Sequence, residues 1–134
     1  YKIEVRIMVS GNFLDAGTTW SKILSVKDGE KTYKILKTAE LKTLDIKFDA
    51  ATGHSSAFSN VSNYENEVVA LAQGAKECLN AGNIVLDLGS RDIKWVKFKD
   101  GKFSDMDWNT NCASATGATI EMLLKFYNVD CYAC

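Results

Sequence analysis

The sequence predicts an α/β protein whose frame is a three-stranded meander made twice. Three observations carry this. The first is an internal repeat: Phe13-Leu14-Asp15-Ala16-Gly17-Thr18 and Val85-Leu86-Asp87-Leu88-Gly89-Ser90 are each an apolar run followed by Asp-x-Gly-hydroxyl. The second is its extension at a constant offset of 72 residues, from 15 to 87, from Lys22 to Lys94, and from Asp28-Gly29 to Asp100-Gly101. Asp-Gly between alternating apolar runs is a strong signal for a tight hairpin turn. The third is a pair of stretches, residues 64–79 and 116–127, whose apolar residues recur at helical spacing.

Each copy therefore reads as strand, polar glycine loop, strand, hairpin turn and strand. In copy one, Ile23, Leu24 and Val26 belong to the second strand, and Tyr33, Ile35 and Leu36 to the third. In copy two, Ile93, Trp95, Val96 and Phe98 form the second strand, and Phe103 opens the third. Between the copies a short strand is expected over 45–51, ending at Thr52-Gly53, then a loop rich in serine and asparagine. Val68, Leu71, Ala72, Ala75 and Leu79 give the following helix one apolar face, with Asn63 as N-cap and Gly82 as stop. Ile120, Leu123, Leu124 and Tyr127 give the second helix its face.

At 134 residues the chain can form one ordinary domain or two very small ones. The expected division is a first lobe at 1–82 and a second over 83–134. The net charge of −1 gives no basic surface for nucleic acid. No apolar run approaches a membrane span, and no signal peptide is visible. Tyr1 in place of a start methionine implies sequence upstream. Four cysteines, Cys78, Cys112, Cys131 and Cys134, could pair, but a full core pattern without a dense cysteine framework points to a reducing, cytoplasmic setting.

The repeated loop is suited to phosphate. A glycine after a strand lets the backbone turn sharply and approach a ligand closely. Successive N–H groups in such a turn form an anion nest. Thr18, Thr19 and Ser90 add hydroxyl donors, and Lys22 a nearby cation. Asp15 and Asp87, at the strand ends, are hard oxygen ligands of the kind Mg²⁺ takes together with water. Two such loops facing each other would clamp a polyphosphate. One Asp-x-Gly-Thr loop is a weak motif; two related by duplication carry more.

At this point the sequence resembles a known family. Asp15–Lys22 (Asp-Ala-Gly-Thr-Thr-Trp-Ser-Lys) looks like the first phosphate loop of the actin/hsp70/sugar-kinase superfamily. Asp87–Lys94 (Asp-Leu-Gly-Ser-Arg-Asp-Ile-Lys) looks like the second in the form used by the BadF/BadG/BcrA/BcrD ATPases, typically Asp-Ile-Gly-Gly-Gln-Asp-x-Lys. Asn109–Gly117 is similar to that family's Asn-Asp-Lys-Cys-Ala-Ala-Gly-Thr-Gly, and Ala51-Thr52-Gly53-His54 to its Ser/Ala-Thr-Gly-Tyr. Residues 67–75 match the helix that follows, so the resemblance runs from about Phe13 to Val129.

The resemblance implies ribonuclease-H-like, actin-like ATPase lobes, the second one incomplete. It also implies an ATPase that activates acyl-CoA dehydratases or reductases by ATP-driven electron transfer. The cofactors would be ATP, Mg²⁺ and one [4Fe–4S] cluster shared in a homodimer, with the dehydratase or reductase subunits as partners. Asp15 and Asp87 would organise Mg-ATP. Gly17, Thr18, Thr19, Lys22, Gly89, Ser90, Thr116 and Gly117 would bind its phosphates, and Cys112 falls on a cluster cysteine. The pattern breaks at Ala70, which stands where the other cluster cysteine belongs. Cys78 and the Cys131-x-x-Cys134 pair are the other thiols at hand. Arg91 replaces the usual glutamine, and Ser90 and Ala115 replace glycines. The helix after the third strand is trimmed away. The family's adenosine loop would follow Cys134, so the phosphates rather than the base are the expected ligand.

The other candidates have simpler explanations. His54 is the only histidine, which leaves no histidine-based metal site or triad. Trp20, Trp95 and Trp108 are expected in the core or at lobe contacts, and Asp105 and Asp107 on a solvent-facing strand. Besides the activator reading, a small-molecule kinase of the same fold and a degenerate nucleotide- or partner-binding module stand as alternatives. A ribonuclease-H-type nuclease ranks lowest, because it needs a cluster of acids around two metals.

Overall fold

A computed structural model describes residues 10–56, 60–78, 83–109 and 116–130. Its elements are β1 (Gly11–Ala16), β2 (Trp20–Lys27), β3 (Glu30–Lys37), β4 (Ala50–Thr52), α1 (Glu67–Cys78), β5 (Ile84–Leu88), β6 (Ile93–Lys99), β7 (Lys102–Trp108) and α2 (Gly117–Phe126). By internal contacts the chain divides into two compact units, one through Glu65 and one from Asn66, which groups α1 with the second meander.

The duplication extends to the register of the strands. In the first unit β1 and β2 pair antiparallel with Asp15 opposite Lys22 and Gly11 opposite Val26. In the second, β5 and β6 pair with Asp87 opposite Lys94 and Ile84 opposite Lys97, the same alignment. Both hairpins close on two residues with positive φ: Asp28 (52°) and Gly29 (85°), Asp100 (50°) and Gly101 (70°). That is the turn whose twist matches the strands it joins, and Asp-Gly suits it because both residues tolerate positive φ. The copies diverge in the outer pair. β2 and β3 stay in register throughout, whereas β6 slips by one residue against β7 at Lys97/Phe98.

The first unit is a four-stranded sheet in the order β3-β2-β1-β4, with β4 parallel to β1. Residues 38–43 form a short 3-10 helix whose Leu41 enters the core. The strand expected over 45–51 is shorter than its apolar pattern suggested. Only Ala50–Thr52 pairs along β1, and Phe48 makes a single bridge to Val61. Leu14, Ala16, Ile23, Leu36, Leu41, Phe48 and Ala51 are the core.

In the second unit α1 lies on the three-stranded sheet. Val68 and Ala75 pack with Val96 and Phe98, flanked by Leu71, Ala72, Val85 and Met106. This is the apolar face expected from the helical spacing. Asn66 rather than Asn63 caps the helix, its Oδ1 accepting the N–H groups of Val68 (2.9 Å) and Val69 (3.4 Å). The expected stop at Gly82 lies outside the described residues.

The two meanders are covered on opposite faces. Leu14 of β1 is 3% exposed, while Leu86, its counterpart on β5, is 56% exposed. The reason is alternation: side chains along a strand point to opposite faces, and α1 covers the face of Val85, Val96 and Phe98. The apolar face of α2 has no cover among the described residues, and Ile120, Leu123 and Tyr127 are exposed. Trp20 and Trp108, expected in the core or at lobe contacts, are not in the core. Both are exposed, and the Lys37 ammonium lies 5.8 Å from the Trp20 ring centroid.

Candidate functional site: two Asp-x-Gly loops

The first loop joins β1 to β2. Gly17 is required there, since a Cβ would fall 2.6 Å from the carbonyl oxygen of Trp20. The loop's carbonyl groups are turned into the protein. The Thr38 hydroxyl donates to the Gly17 carbonyl (2.7 Å) and shares a 2.8 Å hydrogen bond with the buried Ser21 hydroxyl. The Thr38 N–H donates to the Thr19 carbonyl at 2.9 Å, and the Ser55 N–H to the Ala16 carbonyl at 2.9 Å. Gly53, at φ 94°, lies so close to β1 that a side chain would strike the Ala16 backbone. Thr18 is exposed. Asp15 sits on the open face of the sheet, its Oδ2 2.8 Å from the Lys22 ammonium.

The second loop repeats the turn with different supports. A Cβ on Gly89 would fall 2.7 Å from the carbonyl oxygen of Asp92, the position matching Trp20. Here α2 provides the braces. The Gly117 N–H donates to the Gly89 carbonyl (2.9 Å) and the Ala118 N–H to the Ser90 carbonyl (3.2 Å). The buried Thr116 hydroxyl donates to the same Ser90 carbonyl at 2.8 Å. Among the residues expected to bind phosphate, Thr116 and Gly117 thus hold the loop. Gly17, Thr18, Thr19 and Lys22 lie together in the first unit, and Gly89 and Ser90 in the second. In both loops carbonyl oxygens that would repel an anion are engaged by the protein. This arrangement suits an anion nest.

Lys94 is where the two copies part. Its side chain is 11% exposed, against 56% for Lys22. The ammonium lies 2.8 Å from Glu67 Oε2, 2.9 Å from Asp92 Oδ1 and 4.0 Å from Asp87 Oδ2. Burial, the largest influence, pulls the Lys94 pKa down. The hydrogen bonds and charges of Glu67 and Asp92 together outweigh it, so the group holds its proton above the usual 10.5.

Sequence reasoning did not single out Thr38, Asp92 or Glu67. Thr38 stands 21 residues from Gly17, with no local signal linking them. Asp92 lies inside a quoted motif, and its role shows only once the loop folds. Cys112, Cys131 and Cys134 lie outside the described residues, while Ala70 is on α1. Among the described residues no group of three or more His, Cys, Asp or Glu side chains is placed to hold a metal ion. No helix among them is long and apolar enough to cross a membrane.

No protein-family model matches the chain. The (R)-2-hydroxyglutaryl-CoA dehydratase activating ATPase of Acidaminococcus fermentans is 23% identical to it over 137 residues, 87% of this chain and 53% of that protein. The 2-hydroxyisocaproyl-CoA dehydratase activator of Clostridioides difficile is 25% identical over 138 residues, 87% of this chain and 52% of that protein. A solved structure of the activator of the 2-hydroxyisocaproyl-CoA dehydratase from Clostridium difficile with bound ADPNP superposes with a TM-score of 0.73 at 23% identity. The match covers 90% of this chain and 53% of that one, and shows an actin-like ATPase fold. The chain spans about half the length of the curated relatives it matches. In sequence the chain is thus similar to 2-hydroxyacyl-CoA dehydratase activators over about half of their length, and in fold it matches an actin-like ATPase.

Proposed function

We propose that this chain carries the two phosphate loops of an ATPase that activates an acyl-CoA dehydratase or reductase by ATP-driven electron transfer. The observation that carries the reading is the repeated loop. Two Asp-x-Gly turns have the same register, the same glycine-requiring approach to a backbone carbonyl, and carbonyl groups braced by the protein. The relative with bound ADPNP supports the same choice of ligand.

In this reading the N–H groups and hydroxyls of Thr18, Thr19 and Ser90 bind phosphate oxygens. Each loop offers one half-exposed carboxylate, Asp15 and Asp87, a donor that fits Mg²⁺. Held by these carboxylates, Mg²⁺ would supply charge neutralisation to a bound polyphosphate. Lys22 lies on the open face next to Asp15, where it can follow the phosphate charge. The dehydratase or reductase is the proposed partner, a homodimer the proposed assembly, and the cytoplasm the proposed setting. The [4Fe–4S] cluster does not fit the residues described here. Ala70 offers no thiolate at the helical position, so no electron-transfer step is derived from them.

Calorimetric titration with Mg·ADPNP tests the proposal. Binding is expected through the phosphates, with Asp15→Ala and Asp87→Ala each weakening it by about tenfold or more, the size of one charge-assisted interaction. Unchanged affinity in both variants, or adenosine binding as tightly as the nucleotide, would refute it.

A further inference from the structure

Lys94 has no reason to be buried if its task is that of Lys22. Lys22 lies on the open face of its sheet and pairs with one exposed carboxylate. Lys94 lies on the face of Val96 and Phe98, under α1, because strand alternation puts residues 94, 96 and 98 on one side. An ammonium held there needs close partners, since a half-buried charge without them is costly. It has two at hydrogen-bond distance from two different elements. Glu67 is the first residue of α1, and Asp92 closes the second loop. Asp92 is also the residue whose carbonyl oxygen makes glycine necessary at position 89. The backbone of residues 89–92 is thus tied on one side to the start of α2 and on the other, through Lys94, to the start of α1.

We propose that Glu67 and Lys94 are positioning residues for the second phosphate loop. Glu67 holds Lys94, Lys94 holds the Asp92 carboxylate, and Asp92 sets the turn at Gly89 and Ser90. Neither residue contacts the phosphates. Whatever shifts the first turn of α1 therefore shifts the loop, and an anion that settles on the loop bears in turn on α1. The functional part of this inference rests on the reading of the loop as a phosphate site.

The test has two arms on the full chain. Amide hydrogen exchange at Gly117 and Ala118, whose N–H groups donate to the loop carbonyls of Gly89 and Ser90, needs no nucleotide and reads the loop's hold directly. Glu67→Ala and Lys94→Met are expected to speed that exchange by about tenfold, with Glu67→Gln, which keeps an acceptor, in between. Mg·ADPNP affinity should fall by about fivefold to tenfold in the same order. The Glu67→Ala/Lys94→Met double variant should be no weaker than Lys94→Met alone, because both changes cut one link. Unchanged loop exchange, exchange raised evenly over the whole chain, or additive losses of affinity would each overturn the proposal. So would faster loop exchange with nucleotide affinity intact. A wild-type chain that binds no Mg·ADPNP would overturn the phosphate reading instead, and the exchange arm alone then decides the link.

Discussion

Replacing Gly89 by alanine is the most direct test of the loop geometry. The new Cβ would fall 2.7 Å from the Asp92 carbonyl oxygen and 2.9 Å from its Oδ1. Ordinary contact begins near 3.4 Å, so the turn must open by 0.7 Å against a backbone atom that cannot rotate away. Overpacking of this kind costs about 1–3 kcal/mol. For a chain of this size that is a loss of roughly 5–10 °C in melting temperature. Two substitutions in the same unit calibrate it. Gly101→Ala meets nothing within 4 Å but must keep φ at 70°, which costs about 1 kcal/mol. Gly74→Ala, inside α1 and also open, should stabilise by about 0.5–1 kcal/mol. Thermal unfolding followed by circular dichroism ranks the three, and Mg·ADPNP titration separates them by function. Gly89→Ala alone should lose the ligand, and Gly17→Ala, with its 2.6 Å approach to Trp20, should behave like it. A Gly89→Ala protein as stable as Gly74→Ala would refute the close approach on which the loop reading depends.

Other expectations follow from single residues. Because the folded pKa of Lys94 lies above its unfolded value of 10.5, its ion pairs stabilise fully below that pH. The contribution is lost as pH rises through the higher folded value. Urea midpoints measured from about pH 8 to 11 should fall more steeply in wild type than in Lys94→Met, and parallel curves would contradict a stabilising role for the Lys94 ion pairs. Anaerobic reconstitution with iron and sulfide should leave at most a labile cluster, since Ala70 offers no thiolate; that little should vanish in Cys112→Ala. A full cluster surviving that change would remove Cys112 from the ligands.

Much of the frame was legible in the residues themselves. Local chemistry is enough to place a hairpin: Asp-Gly takes two positive φ angles, and the alternating runs on either side must then pair. Once Asp28-Gly29 and Asp100-Gly101 are placed, a two-residue turn sets the neighbouring register. The pairing of Asp15 with Lys22 and of Asp87 with Lys94 belongs to the other strand pair, which the glycine loops join, and it is the same in both copies. The two glycine turns were legible for the same reason, being short-range. The braces were not. Thr38, Gly53 and Thr116 come from distant stretches and reach the loops only after the chain has folded back.

What the sequence alone determined is thus the pair of meanders, the two loops and the amphipathic face of α1, each set by spacing of a few residues. What only the tertiary structure decided is which face of each meander is covered. β6 is apolar on both sides, with Ile93 and Trp95 on one and Val96 and Phe98 on the other. No periodicity chooses between them; the packing of α1 does. That choice buries Lys94 while its twin Lys22 stays in water, and it brings Glu67 to Asp92. Two lysines that are equivalent by sequence thus become different groups, because burial strengthens the demand of a charge for partners and water at an open face relieves it.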